Sequence, residues 1–198
     1  MQRKQIDFYF DLSSPYSYLA ATQLDGITSR HDVVIAWKPM VLAAVFKAQG
    51  NVMPAVCIPK AQYMLKDLAR WASHYGVPFQ MSSRFPLPTI RAMRLVIAAE
   101  ASGHGGQLAK HFFQAMWERD LDISNDEILR QLVAEIGLEP EALFATIDTA
   151  AVKDKLRAYT DEAISRGVFG APSLVVDGEL FWGNDRLHFL EAHLSKTA

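Results

Sequence analysis

The stretch Ser14-Pro15-Tyr16-Ser17 constrains this chain more than any other. It joins an apolar, aromatic run, Ile6-Asp7-Phe8-Tyr9-Phe10-Asp11, to a segment in which Tyr18, Leu19, Thr22, Leu24 and Ile27 recur at roughly helical spacing. The first run has the composition of a strand. Pro15 suits a first helical position, where its missing N–H is not needed. Ser14 before it is a good N-cap, with Ser13 as a competitor. A plain cap is the bland reading of Ser14. The sharper one is chemical: a hydroxyl at a helix N-terminus can donate to a thiolate brought in by a second molecule, and the helix dipole favours that charge.

The bulk numbers narrow the field. A length of 198 residues fits one large domain or a small domain carrying an insertion, and 50% hydrophobic residues suffice for a sizeable core. The net charge is −2, without a basic stripe for nucleic acid or an acidic tail. The start, Met1-Gln2-Arg3-Lys4-Gln5, reads as neither signal peptide nor membrane span, so a cytoplasmic location is expected. One cysteine, Cys57, excludes an internal disulfide; between Val56 and Ile58 it reads as a small buried or half-buried thiol.

Organisation along the chain points to a fold. Val33 to Trp37 reads as a second strand stopped by Pro39, so the chain opens β-α-β. Apolar spacing predicts helices over about 60–75, 88–102, 106–118, 125–137 and 139–148, with Ser124-x-x-Glu127 as a capping box, and a further helix from about 150 to Arg166. Ser173 to Asp177 and Glu179 to Trp182 read as strands joined by an Asp177-Gly178 turn, followed by a helix bearing Leu187, Leu190 and Leu194. This order describes an α/β thioredoxin-like fold with an inserted all-helical domain. The expected division is 1–41 plus 150–198 for the thioredoxin-like part and 42–149 for the insertion. In that fold the strand-to-helix junction carries Cys-x-x-Cys; here serines stand at both positions, which predicts the loss of disulfide exchange.

Three more segments are candidates. Pro172, in Phe169-Gly170-Ala171-Pro172, precedes a strand and suits only an edge or a strand start. The bland reading is a turn before an edge strand. The fold assignment predicts a cis proline facing the first helix, with the backbone of Ala171 pairing with a bound peptide such as glutathione. Asn184 and Asp185 open the last helix. Either is a possible N-cap; alternatively the N–H groups there hold a carboxylate and Asp185 meets an ammonium, charges that the γ-glutamyl end of glutathione offers together. Asn51 after Gly50 and Lys60 after Pro59 are weaker, ordinarily a turn residue and a solvated cation. The six histidines form no ligand set, so no metal is predicted, and no nucleotide-binding motif is present. Most of the helical Met and aromatic residues read as core, and some could line an aromatic pocket.

These motifs together resemble the DsbA-like branch that holds kappa-class glutathione transferases and 2-hydroxychromene-2-carboxylate isomerases. The resemblance rests on Asp7 to Asp11 with Ser14 to Ala20, on Gly50-Asn51, Pro59-Lys60 and Asp67 to Ala72, and on Val168 to Pro172 and Phe181 to Leu187. Trp182-Gly183-Asn184-Asp185-Arg186 and Arg70-Trp71 are closer to the isomerases. The resemblance implies glutathione as cofactor, Ser14 as hydrogen-bond donor to its sulfur, and Asn51, Lys60, Ala171, Pro172, Asn184 and Asp185 as its contacts. It also implies a small aromatic substrate and a homodimer. In such an isomerase the thiolate adds to a conjugated enone from a ring-opened aromatic keto acid, the former double bond rotates, and the thiolate leaves unchanged. Lys47 and Arg84 are the candidate cations for the keto acid. Two alternatives stay open: a kappa-type transferase that releases a conjugate, and a redox-inactive thioredoxin-fold binding protein.

Overall fold

The computed structural model describes residues 3–196. The chain begins with strand β1 (Lys4–Phe10), helix α1 (Pro15–Arg30) and strand β2 (Val33–Pro39). Helices α2 (Leu42–Ala48), α3 (Ile58–Tyr75), α4 (Ile90–Glu100), α5 (Gly105–Trp117), α6 (Asp126–Glu135), α7 (Pro140–Phe144) and α8 (Ala150–Ser165) follow, with a 3₁₀ turn at Pro54–Val56. Strands β3 (Ser173–Val176) and β4 (Glu179–Trp182), a 3₁₀ turn at Asn184–Arg186 and helix α9 (Leu187–Lys196) complete it. The fold is thioredoxin-like, as the element order predicts.

The sheet runs β2-β1-β3-β4, with β1 parallel to β2 and antiparallel to β3. Strand alternation decides what each face of β1 meets. Ile6, Phe8 and Phe10 enter the main core with Leu24 of α1, Leu95 and Val96 of α4 and Phe113 of α5. Phe8 stacks on Phe10 with ring centroids 5.2 Å apart, and Trp37 of β2 meets both edge-on. Tyr9 faces the other way, into a smaller cluster with Met40, Val45 of α2, Ala163 of α8 and Val175. There Lys38 lies 3.1 Å from Asp7 and 2.9 Å from Glu162, and Arg166 lies 2.6 Å from Asp7, tying α8 to the sheet.

Several expectations are corrected. Pro172 stands at a strand start, as one of its two expected positions, but not before an edge strand: β3 lies between β1 and β4, and no ladder donor is required of the residue before it. Helix α2 and the Pro54–Val56 turn are too short to show a period. Helix α6 is capped by Asn125, whose side chain accepts from the N–H groups of Glu127 and Ile128, while Ser124 donates to Asp122. The Asp177-Gly178 hairpin holds, both residues having positive φ.

Candidate functional site

The site gathers at the N-terminus of α1. Ser14 is the N-cap: its Oγ accepts from the Ser17 N–H at 3.2 Å. The same hydroxyl donates to the Ala171 carbonyl at 3.3 Å. Ser13 instead donates its N–H and Oγ to Asp11. In the first turn Pro15 has no N–H, Ser17 is capped and Tyr18 bonds back to the Ser14 carbonyl. The Tyr16 N–H makes no hydrogen bond among the described residues.

The Ala171-Pro172 peptide is cis, as expected from the fold. Ala171 presents its backbone to the Ser14 end. Its N–H is unbonded among the described residues, and its carbonyl accepts only from Ser14. The loop is pinned by Ser173, which donates to the Gly170 carbonyl, and by Gly183, whose N–H donates to Pro172. Phe169 and Trp182 meet beside it with ring centroids 4.9 Å apart and planes tilted by 55°, both more than a third exposed, with Arg186 over the Trp182 ring. A Cβ on Gly170 would sit 2.6 Å from the Trp182 indole nitrogen, so this closeness requires glycine.

Other predicted residues converge to different degrees. Asn51 is exposed and donates to the Phe169 carbonyl at 3.1 Å, joining its loop to the Ala171 segment. The turn bearing Asn184 and Asp185 packs against α1. Neither side chain caps it; Gly183, at φ 98°, occupies that position. Asn184 is buried: its carbonyl accepts from the Tyr75 hydroxyl at 2.7 Å, and its amide lies 3.5 Å from the same oxygen. Asp185 is half-buried and paired with Arg186 at 2.6 Å. A cleft of about 350 Å³ opens beside Asn184 and Asp185, walled by Trp71, His74 and Tyr75 of α3 and His188 of α9. Lys60, in the first turn of α3, and Lys47 of α2 are exposed and form no ion pair among the described residues. Arg84 donates to the Asp120 carbonyl at 2.7 Å and lies 3.4 Å from its carboxylate. The structure joins Ser14 directly to Ala171, beside Pro172, and ties Asn51 to the same loop through the Phe169 carbonyl. Among the described residues no hydrogen bond or ion pair links Lys47, Lys60 or Arg84 to them.

Some supporting residues carry no sequence signal of their role. The Tyr16 hydroxyl donates to Asp67 of α3 at 2.9 Å. Burial, that bond and the nearby charge of Asp67 push its phenol well above the usual tyrosine range. Asp11 accepts from Ser13, Thr89 and the Leu42 N–H, so one buried carboxylate fixes the approach to α1 and the starts of α2 and α4. Cys57 is exposed, contrary to expectation, because it stands in extended backbone between the Pro54–Val56 turn and α3.

The DSBA-like thioredoxin domain model matches residues 5–195. The 2-hydroxychromene-2-carboxylate isomerase of Sphingobium xenophagum is 35% identical, the match covering 96% of this chain and 98% of that protein. Glutathione S-transferase kappa 1 of Rattus norvegicus is 29% identical over 93% of this chain and 88% of its own. A solved 2-hydroxychromene-2-carboxylate isomerase superposes with a TM-score of 0.86 at 29% identity, covering 98% of this chain and 95% of that one. The chain therefore belongs to the DsbA-like thioredoxin-fold proteins, and within them to the 2-hydroxychromene-2-carboxylate isomerase family. Its relatives at 33–35% identity, from Sphingobium and Pseudomonas, are isomerases by name.

Proposed function

We propose that the chain is a glutathione-dependent cis–trans isomerase of a ring-opened aromatic keto acid, acting in the breakdown of aromatic compounds. The observation that carries this reading is the Ser14 hydroxyl, held at the start of α1 against the carbonyl of Ala171, whose N–H is unbonded among the described residues. The residues fit glutathione. Ala171 offers an unbonded N–H and a carbonyl to a peptide backbone. The Ser14 hydroxyl and the Tyr16 N–H, which is unbonded among the described residues, are donors a thiolate could take, and the α1 dipole favours its charge. Asp185 suits the γ-glutamyl ammonium, Asn51 a backbone amide and Lys60 a carboxylate. Among proteins of this fold, one solved disulfide reductase is described with GSH.

When bound, glutathione would supply a thiolate that adds reversibly to the conjugated carbon and so frees rotation about the former double bond. Ser14 would favour the thiolate by donating a hydrogen bond from its hydroxyl. Phe169 and Trp182 present an apolar wall beside this end, suited to an aromatic substrate. A cation would steady the enolate; of the two candidates Lys47 forms no ion pair among the described residues, whereas Arg84 is paired with Asp120.

Incubation with glutathione and a benzylidenepyruvate tests the reading. Geometric isomerisation with the glutathione concentration unchanged is expected. Accumulation of a conjugate would replace it with a kappa-type transferase, and absence of any reaction with a redox-inactive binding protein.

A further inference from the structure

Ser14 has one hydroxyl hydrogen, and in this structure it is directed at the Ala171 carbonyl. That carbonyl is also the acceptor a bound cysteinyl N–H would use, since it has no other donor among the described residues. The hydrogen cannot serve the carbonyl and a thiolate at full strength together. The Oγ lone pair, in contrast, stays with the Ser17 N–H throughout, so the cap persists in either state.

Resting on the glutathione reading above, we propose that the ligand's cysteinyl N–H displaces Ser14 from the Ala171 carbonyl, and that this exchange turns the Ser14 hydroxyl toward the sulfur. The thiol proton leaves to solvent, and the resulting thiolate accepts a hydrogen bond from the Ser14 hydroxyl, which keeps its hydrogen. The site thereby selects peptide thiols, which carry both the amide and the sulfur. A simple thiol must break the Ser14–Ala171 bond without replacing it and leaves the carbonyl unpaired, which opposes its activation. The length of 3.3 Å marks a bond weak enough to exchange.

The contest predicts an inversion of sign. Ser14→Gly removes the hydroxyl at little cost to the cap, and its melting curve without ligand verifies the fold. Calorimetry then compares glutathione with γ-glutamyl-alanyl-glycine, which keeps the amide and lacks the sulfur. The variant should bind glutathione roughly tenfold more weakly, having lost the thiolate donor, and should bind the alanine peptide about two- to tenfold more tightly, having lost the competitor. Equal weakening of both peptides, or unchanged affinity for the alanine peptide, would overturn the exchange while leaving the glutathione reading standing. Failure of the unaltered protein to bind either peptide would remove that reading and the exchange with it.

Discussion

Replacing Asp11 with Asn tests how the approach to α1 is held. The carboxylate is 5% exposed and accepts four hydrogen bonds. Three converge on Oδ1: the Ser13 N–H at 2.9 Å, the Ser13 hydroxyl at 2.8 Å and the Thr89 hydroxyl at 2.9 Å. The fourth, from the Leu42 N–H, reaches Oδ2 at 3.0 Å. Asparagine keeps the shape and one acceptor oxygen. With that oxygen facing the three donors, its NH₂ meets the Leu42 N–H donor to donor. Losing one bond to a charged group costs about 1.5–3 kcal/mol. The remaining three lose their charge assistance, which makes the upper end the better figure. For a chain of this length 1 kcal/mol moves the melting temperature by about 2–4 °C, so Asp11→Asn should lower it by roughly 6–12 °C. Thermal unfolding followed by circular dichroism measures this. Thr89→Val removes one donor from the same oxygen, so the two changes should fail to add by more than about 0.5 kcal/mol. A melting shift under about 2 °C, or strict additivity, would refute a carboxylate that joins three elements.

Four other outcomes are expected. Ser17→Ala removes a fully buried hydroxyl that has no partner, so chemical denaturation should show stability unchanged or raised by up to about 1 kcal/mol, with the thiol pKa of bound glutathione unaffected. Asp185→Ala and Lys60→Ala should each weaken glutathione binding by about tenfold in calorimetry, as loss of a charge-assisted contact requires. Gly170→Ala should displace the Trp182 ring and change its fluorescence, because the added carbon would lie 2.6 Å from the indole nitrogen. Acid should weaken the fold through Asp7 and Glu135. Burial raises the Asp7 carboxyl, but bonds from Gln5, Lys38 and Arg166 outweigh it and hold it below its usual value; Arg119 foremost holds Glu135 at about 2. Both depressed groups stabilise fully above their unfolded pKa and lose that contribution as pH falls, so the stability difference between the protein and Asp7→Asn or Glu135→Gln should be flat above about pH 5 and shrink below it.

The parts of the fold legible in the sequence are those set by local chemistry. Pro15 suits the first turn of a helix and Asp177-Gly178 suits a tight hairpin, because the backbone angles each needs are set by those residues themselves. The misread parts depend on what lies across the chain. Asn125 displaced Ser124 as cap because Asp122 had already engaged the serine. Cys57 reads as buried from its apolar neighbours, yet Val56 and Ile58 are themselves exposed. Nothing adjacent to Asp11 announces that Thr89 and Leu42 will meet it, and nothing around Asn184 announces Tyr75.

At Ser14 the cap and the thiolate donor are not alternatives. The geometry makes them compatible, because a hydroxyl has two lone pairs and one hydrogen. The cap draws on a lone pair, accepting from the Ser17 N–H. The proposed chemistry draws on the hydrogen, which the cap leaves free and which rests on Ala171. A threonine would retain both capacities but add a methyl group at a position 6% exposed, while an alanine loses both together. Glycine separates them, since it caps nearly as well as serine and has no hydroxyl to donate. An effect on glutathione that appears in Ser14→Gly therefore belongs to the hydrogen and not to the helix end.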